Sequence, residues 1–183
     1  MSQSERFAEA YIAIGSNIDP ERHVLEAGKA LNDAVEILDV STLYRSEAKG
    51  PRAQAPFVNG VFKVLSHASP MALKYDWLRK IEADLGRVRF ADKFAPRTVD
   101  LDLVVFGNQV VKTDSLVLPD PDIYRYNHIA VPLLEVGPQL ILPDGNRAVS
   151  TLESARCREG LEPLFTLTSQ LKGIIENGRK AGQ

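Results

Sequence analysis

The sequence is poor in several features that mark common classes of protein. Its single cysteine, Cys157, excludes an internal disulfide and a zinc site built from cysteines. No apolar run approaches the roughly 18 residues that a membrane-spanning helix needs. The N-terminal residues MSQSERFAEA lack the apolar core of a secretory signal. From these absences we expect a soluble, cytoplasmic protein with no membrane partner.

The chain also lacks an excess of either charge. Its formal net charge is −2 at pH 7, so no global basic field attracts nucleic acid. Neither G-x-x-x-x-G-K-[ST] nor G-x-G-x-x-G, the glycine-rich loops that cradle phosphates, occurs in it. A nucleotide triphosphate would therefore have to be held by arginine side chains and metal ions.

The most informative stretch that is present has the sequence FAPRTVDLDLVVFG. Read as a strand over residues 98–106, it alternates, so that Asp100, Asp102, Val104 and Phe106 share one face. Same-face neighbours lie about 6.5 to 7 Å apart, close enough to converge on two divalent cations about 3.5 to 4 Å from each other. The alternative is an ordinary half-solvated strand whose outer face carries two aspartates.

The residues just before this strand are basic. The segment GRVRFADKFAPR contains Arg87, Arg89, Lys93 and Arg97 against a single acid, Asp92. Two bare carboxylates so close together raise one another's pKa, so they call for a cation or a basic neighbour. The two aspartates can bind a metal ion, and the basic residues beside them can bind a phosphate. Together they predict a metal–phosphate site.

Hydrophobic periodicity predicts an alternation of strands and helices. We expect strands over residues 8–16, 40–46, 57–66 and 98–106, helices beginning at Pro20 and Pro70, a hairpin strand at Val110-Val111 after the Gly107-Asn108 turn, and a helix over residues 129–136. This order predicts an α+β fold with a ferredoxin-like βαββαβ core: a mainly antiparallel sheet with helices on both sides, in three α/β/α layers.

With 183 residues, 44% of them hydrophobic, the chain is expected to form one domain. Residues 1–7 should be a loose N-terminus and residues 8–160 the core. Residues 161–183 should form a C-terminal tail, in which strand and helix signals are mixed.

Several spaced motifs resemble those of one enzyme family. They are APRTVDLDLV at residues 95–104, Gly15-Ser16-Asn17, Tyr44-Arg45-Ser46, Phe57-Val58-Asn59, and Glu82 followed by GRVR at residues 86–89. Over about residues 10–145 the chain resembles 6-hydroxymethyl-7,8-dihydropterin pyrophosphokinase of folate biosynthesis. The resemblance implies transfer of pyrophosphate from ATP to the hydroxymethyl group of a reduced pterin, with release of AMP.

The resemblance and the basic loop together imply roles for individual residues. Asp100 and Asp102 would bind two Mg²⁺ ions, and Arg87 and Arg97 would act on the ATP phosphates. The residues expected to bind the nucleotide are Glu82, Arg89, Lys93, Leu103 and Arg125. Those expected to bind the pterin are Ser46, Phe57, Asn59, Phe94 and His128. From the residues alone, Asn59 serves equally well as a cap for a buried backbone group.

The segment DPDIYRYNH, residues 120–128, departs from the family pattern. Where the family has a phosphate-binding His, a phosphate-binding Arg and a stacking Phe, this chain has Asp120, Tyr126 and His128. The changes remove positive charge from where phosphate oxygens would lie. The basic residues that could compensate are Arg125, Lys112 and Arg79.

Three functions fit these features. The first is the pyrophosphokinase reaction. The second is a nucleotidyltransferase or cyclase with the same two-metal clamp, which would release pyrophosphate instead of AMP. The third is a relative that binds a pterin or nucleotide without turnover. The expected partners are small molecules, ATP and a hydroxymethyl dihydropterin, with no nucleic acid and no membrane, bound by a monomer or a homodimer.

Overall fold

The computed structural model describes residues 7–48, 54–89 and 95–181. The strands are β1 (Ala8–Ser16), β2 (Glu36–Val40), β3 (Tyr44–Ser46), β4 (Phe57–Ser66), β5 (Asp100–Phe106), β6 (Val111–Lys112), β7 (Val117–Leu118), β8 (Ile141–Leu142), β9 (Arg147–Ala148) and β10 (Glu162–Pro163). The helices are α1 (Pro20–Ala34), α2 (Pro70–Ala72), α3 (Arg79–Asp84), α4 (Asn127–Val136), α5 (Glu153–Arg156) and α6 (Phe165–Ala181). A π-helical segment, Leu73–Leu78, joins α2 to α3, and a 3-10 helix, Pro121–Tyr124, precedes α4.

The central sheet has the strand order β10-β3-β4-β1-β5, with β2 also paired to β4. All of these pairings are antiparallel. The long strands β1 and β4 are buried on both faces along most of their length, which is why their sequences are nearly continuously apolar. Asp100 and Asp102, the two acids of the motif, lie on β5, which is paired with β1 at one edge of the sheet.

Helices cover both faces of this sheet. On one face, side chains of α1, the π-helical segment and α6 pack with the sheet around Phe62, Leu31 and Leu171. On the other face, α4 and α5 pack over Val61 and Val104. The three-layer α+β prediction is therefore confirmed. No helix in the described part of the chain is long and apolar enough to cross a membrane.

Strand β5 departs from its predicted alternation at Val104. The register between β1 and β5 shifts there, so Val104 and Val105 both lie in the cluster beneath α4, whereas Phe106 joins Leu103 on the opposite face. The prediction that Phe106 shares a face with Asp100 is wrong, because a β-bulge inserts one extra residue and reverses the alternation after it. The bulge follows the two aspartates, so their common face is kept.

Two other local predictions are wrong. The single strand predicted over residues 40–46 is two strands, because the Ser41 hydroxyl accepts a hydrogen bond from the Val61 N–H (2.9 Å) and donates one to the Thr42 carbonyl (2.8 Å). The predicted hairpin after β5 is absent from the described residues: Gly107 adopts a φ of 48°, and the chain turns away into β6, which pairs with β7.

Candidate active site

A cavity of about 350 Å³ lies where β1, β4 and β5 meet below α4. Seven of the predicted site residues line it: Ser46, Phe57, Asn59, Arg97, Asp100, Asp102 and His128. The sheet register brings them together, because Asn59 on β4 and Asp100 on β5 both lie opposite Gly15 of β1. A Cβ atom at Gly15 would lie 3.2 Å from the Asn59 side-chain oxygen, so glycine keeps this part of the cavity open.

Asp100 is held by two arginines. Arg87 and Arg97 each donate a hydrogen bond to its carboxylate, and Arg87 also donates to the Val99 carbonyl at 3.1 Å. Burial alone would raise the pKa of Asp100, but the two guanidinium groups hold it below its usual value. Asp100 is therefore ionised, and the charges that a phosphate would need are already beside it.

The carboxylate of Asp102 has no hydrogen-bond or ion-pair partner among the described residues. Burial, reinforced by the negative charge of Asp100, raises its pKa to about 7. A half-buried carboxylate without a partner gains most from a bound cation. The donor set fits Mg²⁺, which binds one or two carboxylates and keeps water and phosphate oxygens as its other ligands.

The described residues contain no group of three or more acidic, histidine or cysteine side chains able to hold a metal. A cation at Asp100 and Asp102 would therefore complete its coordination with water and substrate oxygens. That arrangement suits an ion that arrives with a nucleotide.

Glu82 lies behind β5 rather than in the cavity, with its side chain 3% exposed. Its carboxylate accepts hydrogen bonds from Arg87, Arg89 and the backbone N–H of Leu101, the last at 2.8 Å. Leu103, also predicted near the nucleotide, is buried in the core on the face of the sheet that packs against α1 and α6. Both residues support the site from behind, and neither lines the cavity.

Asn17 fixes the backbone of Arg97. Its side-chain oxygen accepts from the Arg97 N–H at 2.8 Å, and its own N–H donates to the Arg97 carbonyl at 3.2 Å. The neighbouring Ser16 hydroxyl donates to the Thr98 carbonyl. Sequence reasoning gave Asn17 no role of its own. The available signal was a polar Ser-Asn pair following an apolar strand, and both residues prove to be buried.

The opposite side of the cavity carries neutral polar and aromatic groups. The Asn59 amide donates to the Ser46 hydroxyl at 2.9 Å. Arg97 lies 5.6 Å from the centre of the Phe57 ring. The rings of Tyr126 and His128 stack, with centroids 5.3 Å apart and planes inclined by 25°. Phe94 and Lys93 lie outside the described residues.

Comparison with known proteins identifies the family. The model of the 7,8-dihydro-6-hydroxymethylpterin-pyrophosphokinase family matches residues 11–138. This chain belongs to that family. Membership confirms the predicted family and the prediction that the protein is an enzyme.

Individual relatives agree with this assignment. The 2-amino-4-hydroxy-6-hydroxymethyldihydropteridine pyrophosphokinase of Haemophilus influenzae is 36% identical over 138 residues, which cover 74% of this chain and 85% of the relative. The enzyme of the same name from Pseudomonas aeruginosa is 37% identical over 160 residues, covering 84% of this chain and 95% of the relative.

Solved structures support the fold alone. The Plasmodium falciparum HPPK-DHPS triple mutant aligns with a TM-score of 0.59 at 13% identity, covering 86% of this chain and 45% of that one. A second HPPK-DHPS structure, in complex with substrates, aligns with a TM-score of 0.57 at 12% identity. The alignment covers 82% of this chain and 43% of the chain in that structure.

Within this pyrophosphokinase, the divergent segment forms one wall of the cavity. Asp120 is not among the cavity-lining residues; its carboxylate caps the 3-10 helix by accepting from the Asp122 N–H at 2.8 Å. Asp122 does line the cavity, and sequence reasoning missed it. Arg125, proposed there to replace a lost charge, is exposed and lies outside the cavity lining.

Proposed function

We propose that this protein transfers pyrophosphate from ATP to the 6-hydroxymethyl group of 7,8-dihydropterin, releasing AMP, and that the cavity at β1, β4 and β5 is its active site. One observation carries the proposal. In a chain of the pyrophosphokinase family, the unpaired Asp102 and the arginine-bound Asp100 face the same cavity as the Asn59–Ser46 pair. A phosphate-binding side and a heterocycle-binding side thus share one space.

On the phosphate side, the chief task is to neutralise and align a polyanion, since phosphoryl-type transfer needs little covalent help from protein. Arg97 can exchange the Asp100 carboxylate for a phosphate oxygen by side-chain rotation, because Asn17 holds its backbone in place. Arg87 is 11% exposed and remains anchored to Glu82. We therefore assign Arg97 to direct contact with the phosphates and Arg87 to support of Asp100 and of the charge balance.

Asp100 and Asp102 would hold Mg²⁺, for which we propose two ions. When bound, the ions neutralise phosphate charge and lower the pKa of the attacking hydroxyl. Asp102 binds a cation in its ionised form, so its contribution grows as the pH rises through about 7.

On the pterin side, the Asn59 amide is oriented by the Ser46 hydroxyl, which accepts one of its N–H groups. This leaves the amide oxygen to accept from the N–H groups of a pterin edge. Phe57 and His128 line the same space and offer ring surfaces to a flat heterocycle. Phe94 stays a prediction.

The decisive experiment supplies the protein with ATP, Mg²⁺ and 6-hydroxymethyl-7,8-dihydropterin and analyses the products. We expect AMP and pterin diphosphate in equal amounts, and neither product when Asp102→Asn replaces the native chain. Release of pyrophosphate instead of AMP would indicate a nucleotidyltransferase. Binding of both substrates without product would indicate the non-catalytic alternative.

A further inference from the structure

The C-terminal part of the chain lies beyond residue 138, where the family match ends, and it closes one edge of the sheet. Strand β10 pairs antiparallel with β3. Just after it, the Leu164 N–H donates to the Leu43 carbonyl at 2.8 Å, and the Thr168 hydroxyl accepts from the Leu43 N–H at 2.9 Å. The short strand β3, which carries Ser46 into the cavity, is therefore held on its outer side by the C-terminal segment.

A polar cluster reinforces this edge, formed by Tyr44 of β3, Glu135 of α4 and Arg158 of the C-terminal part; we call it the Tyr44 cluster. The Tyr44 hydroxyl donates to the Glu135 carboxylate. Arg158 donates to the Tyr44 hydroxyl at 2.6 Å and to Glu135 at 3.3 Å. Glu135 also accepts from the Thr42 N–H at 2.9 Å. Tyr44 is 3% exposed, and burial raises the pKa of its hydroxyl, so the hydroxyl keeps its proton and remains a donor.

The Tyr44 cluster joins the two sides of the pterin half of the cavity. Tyr44 stands two residues before Ser46 on β3, and its partner across the ladder is Asn59. Glu135 stands on the helix whose first turn carries His128. The Tyr44–Glu135 contact therefore links the strand that carries Ser46 to the helix that carries His128.

We infer that Arg158 is a positioning residue for the pterin: through the Tyr44 cluster it sets the spacing of Ser46 and Asn59 from His128, without touching the substrate. The inference rests on the proposed function. It gives a role in pterin binding to a part of the chain that the family match does not cover. The ATP-binding side, built on β5 and Arg97, does not contact Arg158 and should be unaffected by its loss.

The test compares Arg158→Ala and Tyr44→Phe with the native chain. Each variant removes hydrogen bonds of the Tyr44 cluster and so lowers the fraction of the protein whose β3 and α4 have the binding-competent spacing. If that fraction falls to about a tenth to a third, the KM and the equilibrium dissociation constant for 6-hydroxymethyl-7,8-dihydropterin should rise about three- to tenfold. The KM for ATP and kcat should stay within about twofold. Arg158→Lys, which can keep one of the two contacts, should fall between the alanine variant and the native chain.

Arg156→Ala is the matched control, because Arg156 lies on the same segment and its side chain donates to the Ser150 carbonyl at 2.9 Å, with no contact to the Tyr44 cluster among the described residues. It should leave every constant unchanged. Unchanged pterin constants in Arg158→Ala would overturn the inference. A fall in kcat together with a rise in both KM values and a lowered Tm would also overturn it, because it would indicate general destabilisation. If the native chain binds the pterin but releases no AMP, the proposed function is wrong. The role of Arg158 is then still tested by comparing the pterin dissociation constants of the native chain and Arg158→Ala.

Discussion

The two sides of the cavity that flank Asp102 differ in how their acids are balanced. On the β5 side, Asp100 and Glu82 each accept hydrogen bonds from two arginines, so folding itself supplies the counter-charge. On the side of the divergent segment, neither Asp120 nor Asp122 forms an ion pair with any described basic residue. The β5 side therefore carries its own counter-charges, whereas the acids of the divergent segment have none within ion-pair distance among the described residues. Asp102, between them, is where a metal ion would connect the two.

Replacing Asp102 by asparagine should have the largest effect. The change removes a charged metal ligand but keeps the size of the side chain, so we expect kcat to fall by about 1000-fold while the fold is retained. Steady-state AMP release in Mg²⁺ measures the loss, and circular dichroism checks the fold. The isosteric control is Asp122→Asn on the other side, which should retain most of the activity. A near-native rate in Asp102→Asn would show that Asp102 is not a metal ligand in the reaction.

Loss of Arg97 should come next. Arg97→Ala leaves its backbone anchored by Asn17 but removes the guanidinium that we assign to the ATP phosphates, so kcat should fall by about 100-fold. The KM for ATP should rise much less, because the contact strengthens in the transition state. Arg22→Ala, which removes an exposed arginine paired with Asp19, is the control. A raised KM with unchanged kcat would show that Arg97 only binds ATP.

The third prediction concerns a smaller effect, the pH dependence of the protein's stability that follows from the raised pKa of Asp102. Because folding raises this pKa from 3.8 to about 7, the native state binds a proton that the unfolded state releases, and the stability of the metal-free protein falls as the pH rises from about 4 to about 7. Asp102→Asn removes that penalty. Its Tm should match the native Tm near pH 4 and exceed it at about pH 8, as measured by thermal melts without metal. An equal Tm at both pH values would contradict the raised pKa.

Local sequence patterns located the long elements of this fold well. The predicted strands over residues 8–16 and 57–66 match β1 and β4, because each is a sustained apolar run bounded by turn residues. The bulge at Val104 was not predictable from the same kind of pattern. It is visible only in the pairing of β5 with β1, and strand alternation carries no information on a partner's register.

The candidate site was predictable to the extent that chemistry shows in residue type. The two aspartates of β5 and Asn59 stand out as polar residues in apolar strands, and the structure gathers them around Gly15. The contribution of Asn17 and the location of Arg125 depend on how loops fold over the ends of the sheet. Such contacts between residues 80 positions apart leave no local pattern, as the Asn17–Arg97 hydrogen bond illustrates.

The smallest effect should come from giving the divergent side the charges of its family, with Asp120→His and Tyr126→Arg made together. The pair adds positive charge where the resemblance places phosphate oxygens, and one charge-assisted hydrogen bond would tighten ATP binding about tenfold. Part of this gain is offset, because Asp120 caps the 3-10 helix and Tyr126 stacks on His128. Calorimetric titration with a non-hydrolysable ATP analogue measures the net change.

Arg125→Ala completes that comparison, because Arg125 is one of the three basic residues, with Lys112 and Arg79, that the sequence offers to replace the missing charge. The side chain is exposed and lies outside the cavity lining, so its removal should alter ATP affinity by less than about twofold. A tenfold loss would show that Arg125 reaches the nucleotide and that the divergent side carries its own counter-charge after all. If the double change leaves the affinity untouched while Arg125→Ala is silent, the phosphates lie wholly on the β5 side, and the acids of the divergent segment serve the pterin half of the cavity.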